Sequence, residues 1–250
     1  MTAYVCGALK SPYSPDDLVA EHIYPSARDL NLPEKLDLRS NLLGVRDQGS
    51  QGTCVAQSTA CMKEWQEKTQ VNLSEYLSPQ FIYNNRSNYP VAGMYGRNAM
   101  DIINKLGCCT EYVYHYDTIE PKDKIPKVAI DEASRYKVNS YAQVSTITGV
   151  QTALYKNGPC IIIFPVYNYG SQFWVKGDKD VFIGGHCVTV VGYDKTGFIL
   201  RNSWGIKWND GGYTTYPYSQ FGMHWEIWTS IDADSPKPDL HPVECKCEIL

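Results

Sequence analysis

Between residues 53 and 68, apolar side chains fall at Val55, Ala56, Ala60, Cys61, Met62 and Trp65. That spacing has the helical period, and it predicts a largely buried helix of about four turns with Cys54 at its start. Shorter helices are predicted over 78–83, with Pro79 in the first turn, and over 99–106, closed by Gly107. After Gly158-Pro159 the pattern changes. Residues 160–166 form a continuous apolar run of the kind found in buried strands. Segments 186–193 and 198–201 are rich in β-formers and are joined by Asp194-Lys195-Thr196-Gly197, a hairpin signal. Further strands are expected over 213–216 and 226–230. Helices followed by strands predict an α+β fold with two lobes and a cleft between them.

The ends read differently. Residues 1–31 carry Pro12, Pro15 and Pro25 and predict an extended arm ahead of the globular part. Residues 32–39 then form an extended entry segment. Residues 232–250 combine three prolines with Cys245-Lys246-Cys247 and read as a surface tail. The expected division is therefore an arm (1–31), a body (32–231) and a tail.

Composition narrows the function. With 43% hydrophobic and 20% charged residues among 250, the chain can bury a substantial core. The net charge is -4 and no dense Lys/Arg cluster is present, so neither nucleic acid nor an anionic membrane is an expected partner. No run reaches the roughly 18 apolar residues of a membrane span. The first ten residues lack the pattern of a secretory signal. The expectation is an intracellular, reducing compartment, with the 9 cysteines mostly free thiols and with Cys160 and Cys187 as small core residues. His22, His115, His224 and His241 are scattered without ligand spacing, so no metal or organic cofactor is expected.

Gln48-Gly49-Ser50-Gln51-Gly52-Thr53-Cys54 places a cysteine directly after a Gly-rich turn and at a helix start. Unpaired N–H groups and the helix dipole there favour thiolate, the nucleophilic form. His186 begins one strand of the predicted hairpin and Asn202 follows its partner, so both fall at one end of the sheet. Asn202 could hold one imidazole nitrogen while the other faces Cys54, the nucleophile–base–orienter arrangement. A resting thiolate–imidazolium pair would hold the Cys54 pKa several units below the free value of roughly 8.5. The Gln48 side chain, with the Cys54 N–H, would form an oxyanion hole.

Gln48…Cys54, Gly185-His186 with Gly192-Tyr193, and Asn202-Ser203-Trp204-Gly205 closely resemble the papain-like cysteine peptidases. Leu32-Pro33-Glu34-Lys35-Leu36-Asp37-Leu38-Arg39 resembles the start of their mature domain, and Gly211-Gly212-Tyr213 their later turn. The resemblance spans about residues 32 to 231. It implies a helical L lobe (about 40–140), a β-barrel-type R lobe (about 141–231) and a monomeric enzyme acting on peptides or proteins through an acyl-enzyme thioester. It also implies Gln48 as hole donor, Cys54 as nucleophile, His186 as base and acid, and Asn202 as orienter, with Trp204 shielding the His–Asn bond. Gly93 and Met94 would meet the substrate backbone, and Cys187 would line the pocket for the residue two before the cut. Four departures stand out: Gln51 replaces a disulfide cysteine, Val55 an aromatic residue, Met94 a glycine, and residues 1–31 the long helical leader. These are closer to bacterial and viral relatives.

The same nucleophile could instead serve glutamine deamidation or acyl transfer, and the fold could serve as a silent scaffold. The arm is expected either to cross the cleft and restrain access or to pack elsewhere.

Overall fold

A computed structural model describes residues 4–24 and 30–231. The tail with Cys245 and Cys247, and the arm residue Pro25, lie outside the described residues. The elements in chain order begin with β1 (Ala8–Leu9), α1 (Ala20–Ile23), β2 (Leu36–Asp37), α2 (Cys54–Val71) and α3 (Pro79–Asn84). Then come β3 (Met94–Tyr95), α4 (Gly96–Lys105), α5 (Lys127–Ala133), β4 (Ser140–Gln143) and α6 (Ile147–Asn157). The chain closes with β5 (Cys160–Val166), β6 (Gly184–Tyr193), β7 (Gly197–Arg201), β8 (Tyr213–Pro217) and β9 (Glu226–Ile231). Helices dominate before residue 158 and strands after it, as the change of period predicts.

Helix α2 runs 18 residues and ends where Asn72 turns left-handed at φ 57. Its burial on all sides follows from its position between two apolar clusters. Val55, Ala56, Ala60 and Met62 pack with Ile82, Met100 and Ile103 of α3 and α4. Trp65 faces the other cluster, with Leu154, Ile162, Val188 and Phe198 of α6 and the sheet. The predicted third helix begins three residues earlier than expected, at Gly96. Helices α5 and α6, and the short α1 within the arm expected to be extended, are additional to the predicted set. Their signals are present: Thr146 caps α6 by accepting from the Gly149 N–H at 2.9 Å, and Val150, Ala153 and Leu154 form its buried face.

Gly158 ends α6 with φ 87 and ψ -153. A Cβ there would lie 2.2 Å from a Trp65 ring carbon. Gly158→Ala is therefore expected to lower stability by about 3 kcal/mol through overpacking and backbone strain. A lower urea midpoint at unchanged slope would register it.

The sheet runs β3-β1-β6-β5-β9-β4, with β2 and β7 also on β6 and β8 on β7. The β6–β7 hairpin turns at the predicted tetrapeptide, where the Asp194 N–H donates to Gly197 O at 3.0 Å. A bulge between Val190 and Gly192 shifts the register by one residue. That shift brings His186 one position closer to the end of β7, where Asn202 follows.

The entry segment carries β2, which pairs Leu36 with Tyr193. The arm is not a detached extension. Ala8 of β1 lies antiparallel to Gly185 on β6 and parallel to Met94 on β3. The arm thus bridges the helical part and the sheet.

Candidate active site

Cys54 opens α2 and is fully buried, as is His186 on β6. The backbone N–H groups of Cys187 and Gly7, with those of Val55 and Cys54 itself, favour the thiolate of Cys54. The residue beside His186 and the arm therefore both act on the sulfur. His186 Nε2 lies 2.7 Å from Asn202 Oδ1. That oxygen also accepts the Ser203 N–H at 2.7 Å. An amide oxygen only accepts, so Nε2 carries the proton and Nδ1 is a bare lone pair. Nδ1 is buried with no hydrogen-bond partner. The imidazole is thus held by one nitrogen and open for a proton at the other. Trp204 lies over the ring, with centroids 4.2 Å apart and 22° between planes.

Gln48 is buried at the turn before Cys54. Its Nε2 donates to Gln51 O and to Val5 O, both at 2.9 Å. Its Oε1 accepts from Ser203 Oγ at 2.7 Å, which fixes which end of the amide faces the arm. Tyr116 supports the same turn by donating to Gln48 O at 2.8 Å. Ser203 therefore orients both Gln48 and Asn202, a role the sequence did not reveal because its partners are 155 and 1 residues away.

Burial acts against the expected thiolate–imidazolium pair. Burial pushes the Cys54 thiol up, and the surrounding N–H groups offset only part of that. Burial likewise pushes His186 down to about 4, against the smaller opposite pull of Asn202. Burial therefore favours the neutral form of both groups.

The other expected residues divide. Met94 is buried, but its N–H donates to Gly7 O at 2.8 Å, so its backbone does face the cleft. The Gly93 N–H turns inward to Tyr83 Oη at 3.1 Å. The Cys187 side chain belongs to the apolar cluster around α2, while its N–H serves Cys54. Among the described residues every cysteine is a free thiol, and no cluster of His, Cys, Asp or Glu could hold a metal ion. No helix among them is long and apolar enough to cross a membrane.

The arm is tied to the body along its length. Ser11 donates its N–H at 3.3 Å and its hydroxyl at 3.0 Å to the buried Glu226. Asp17 pairs with Arg97 at 2.6 Å. Glu21 accepts four bonds, from the N–H and hydroxyl groups of Ser145 and Thr146 at the start of α6, between 2.8 and 3.2 Å. Gly7 lies against the nucleophile turn so closely that a Cβ on it would meet Gly52 O at 2.2 Å.

The family model for papain family cysteine proteases matches residues 32–227. An uncharacterized peptidase C1-like protein of Acanthamoeba polyphaga mimivirus is 33% identical over 198 residues, covering 69% of this chain and 63% of that protein. Papain of Carica papaya is 26% identical over 220 residues, covering 83% of this chain and 61% of papain's sequence. The chain therefore spans a little over three-fifths of the length of these curated relatives. Among solved structures, xylellain, a cysteine protease from Xylella fastidiosa, superposes with a TM-score of 0.79 at 24% identity, over 92% of this chain and 96% of that one. A procathepsin B from Trypanosoma congolense gives 0.72 at 18% identity, over 90% and 86%. At these identities the two structures speak for the fold.

Proposed function

This chain belongs to the papain family of cysteine proteases, and we propose that it hydrolyses peptide bonds through Cys54, His186, Asn202 and Gln48, with residues 4–24 acting as an autoinhibitory arm. The observation that carries the reading is the buried, partnerless Nδ1 of His186, whose Nε2–H is held by Asn202. A base so oriented takes the thiol proton as sulfur attacks the carbonyl carbon. The developing oxyanion would be met by Gln48 Nε2, which already binds a carbonyl oxygen, that of Val5. His186 then gives its proton to the leaving amine, and water repeats the sequence on the thioester.

The polarity of the arm supports inhibition rather than cleavage. The leaving amine must lie toward His186 and Trp204, and the acyl part toward Met94. The arm runs the other way, from Tyr4 on Trp204 to Ala8 beside Met94. It offers Cys54 the N–H of Gly7. A reversed chain occupies the cleft without being a substrate.

The test uses the full chain. Unstructured peptides should be cut, and a thiol-directed epoxide should add to Cys54 alone. If Cys54→Ala cuts and labels like the parent, the reading fails. Mass spectrometry separates the glutamine deamidation alternative, which would add one mass unit without breaking the chain.

A further inference from the structure

Gln57 stands one turn along α2 from Cys54 and is buried, as are Arg201 at the end of β7 and Asn202 after it. The three side chains line a cavity of about 10 Å³ between α2 and the sheet. Each leaves one polar atom buried without a protein partner: Gln57 Oε1, Arg201 Nη1 and Asn202 Nδ2. Arg46 lines the same cavity, and its Nε is also unpartnered. The other end of the Asn202 amide is engaged, since Oδ1 accepts from His186 Nε2 and from the Ser203 N–H. Arg201 Nη2 likewise donates to Gly44 O.

We propose that this cavity binds one water molecule, and that Gln57, acting through that water, is a positioning residue for Asn202 and hence for the His186 base. The inference rests on the peptidase reading and adds to its site a side chain that touches neither substrate nor imidazole. The occupant follows from the chemistry of the wall. Donors from Arg46, Arg201 and Asn202 exclude a cation, and the bare amide oxygen of Gln57 repels an anion. Water accepts from two donors and gives a proton to Gln57, and the space is that of a single water. The consequence lies in the tautomer of His186. With Oδ1 toward the ring, the proton stays on Nε2, and Nδ1 is free to take the thiol proton. A turned amide would present Nδ2–H to Nε2, so the ring would carry its proton on Nδ1 and take none from sulfur. The Ser203 N–H holds Oδ1 from one side, and the water holds Nδ2 from the other.

A high-resolution crystal structure of the full chain should show one ordered water within hydrogen-bond reach of Gln57 Oε1 and Asn202 Nδ2. An empty cavity, or an ion in it, overturns the proposal. Gln57→Met keeps the length of the side chain and removes its amide oxygen. It is expected to lower kcat for peptide hydrolysis about tenfold while KM stays within about twofold. In an Asn202→Ala chain the same change should cost nothing further, because no amide is left to turn. Gln57 also acts on the Tyr116 hydroxyl, which donates to Gln48 O at 2.8 Å. A loss by that route, or by general loosening of α2, would be equal in the two backgrounds. Equal losses therefore overturn the proposal and leave the peptidase reading standing, as does an unchanged kcat in Gln57→Met. Gln57→Leu replaces Gln57→Met if the latter does not fold, and the crystallographic result needs neither. No cleavage by the parent, with an inert Cys54, removes the peptidase reading and this inference together.

Discussion

Cys54→Ala is expected to lower kcat for peptide hydrolysis by about a millionfold, and His186→Ala by nearly as much. The two losses should not multiply. Without the sulfur there is no covalent acceptor for the acyl group, and the imidazole then has no thiol proton to take. Without the imidazole the thiol stays protonated, since burial already pushes its pKa up. The double variant should therefore be no slower than Cys54→Ala, with a residual rate set by Gln48 and by substrate binding. Asn202→Ala should fall between these and the parent. It frees Nε2–H from its acceptor at 2.7 Å and leaves the ring held by the indole 4.2 Å away. Single-turnover assays separate acylation from deacylation, and His186 serves both. A Cys54→Ala chain that keeps more than about a hundredth of the parent rate would overturn the assignment, as would losses that multiply in the double variant.

The sequence carried the local parts of this site. A cysteine after a turn containing Gly49 and Gly52, followed by a helix-period run, places a nucleophile at a helix start. The hairpin puts His186 and Asn202 at one end of the sheet, and the bulge between Val190 and Gly192 supplies the register step that the tetrapeptide alone does not fix. What the sequence did not carry depends on distant contacts. The protonation of Cys54 and His186 follows from their burial in the folded chain, which neither local sequence announces. Helix-start chemistry favours the thiolate, and burial outweighs it. Ser203 was hidden for the same reason, since its hydroxyl acts on Gln48 at the far end of the chain. Helix α6 was legible in principle from Thr146 and its apolar face. Glu21, which binds the same N-terminus, was not, because nothing in residues 1–31 points to a partner at 145–146.

Replacing Gly7 by Val is expected to raise both peptide hydrolysis and epoxide labelling of Cys54 by roughly tenfold to a hundredfold at pH 7. Any side chain at this position would have its first carbon 2.2 Å from Gly52 O, backbone of the nucleophile turn. The turn is anchored by Gln48, so the arm must yield. Residues 4–9 then lose their register against Gly185 and Met94, water reaches the pair, and the ionised form becomes accessible. The parent should reach a similar state through pH. His186 sits at about 4 under the arm against an ordinary 6.5, so from pH 6.5 downward the open form binds a proton that the closed form refuses. Burial raises the Glu21 carboxyl, but its bonds from Ser145 and Thr146 outweigh that and leave it below its ordinary 4.5. Its contribution to docking is therefore present above 4.5 and is lost as acid protonates it. The Cys54 thiol is held above its ordinary 9.0, so toward that pH the open form gives up a proton the closed form keeps. Closure should be tightest between these limits, and the labelling rate of the parent, relative to Gly7→Val, should be lowest near neutrality and rise on both sides. Equal labelling rates for the two chains at every pH, with unchanged thermal midpoints, would mean that the arm restrains nothing.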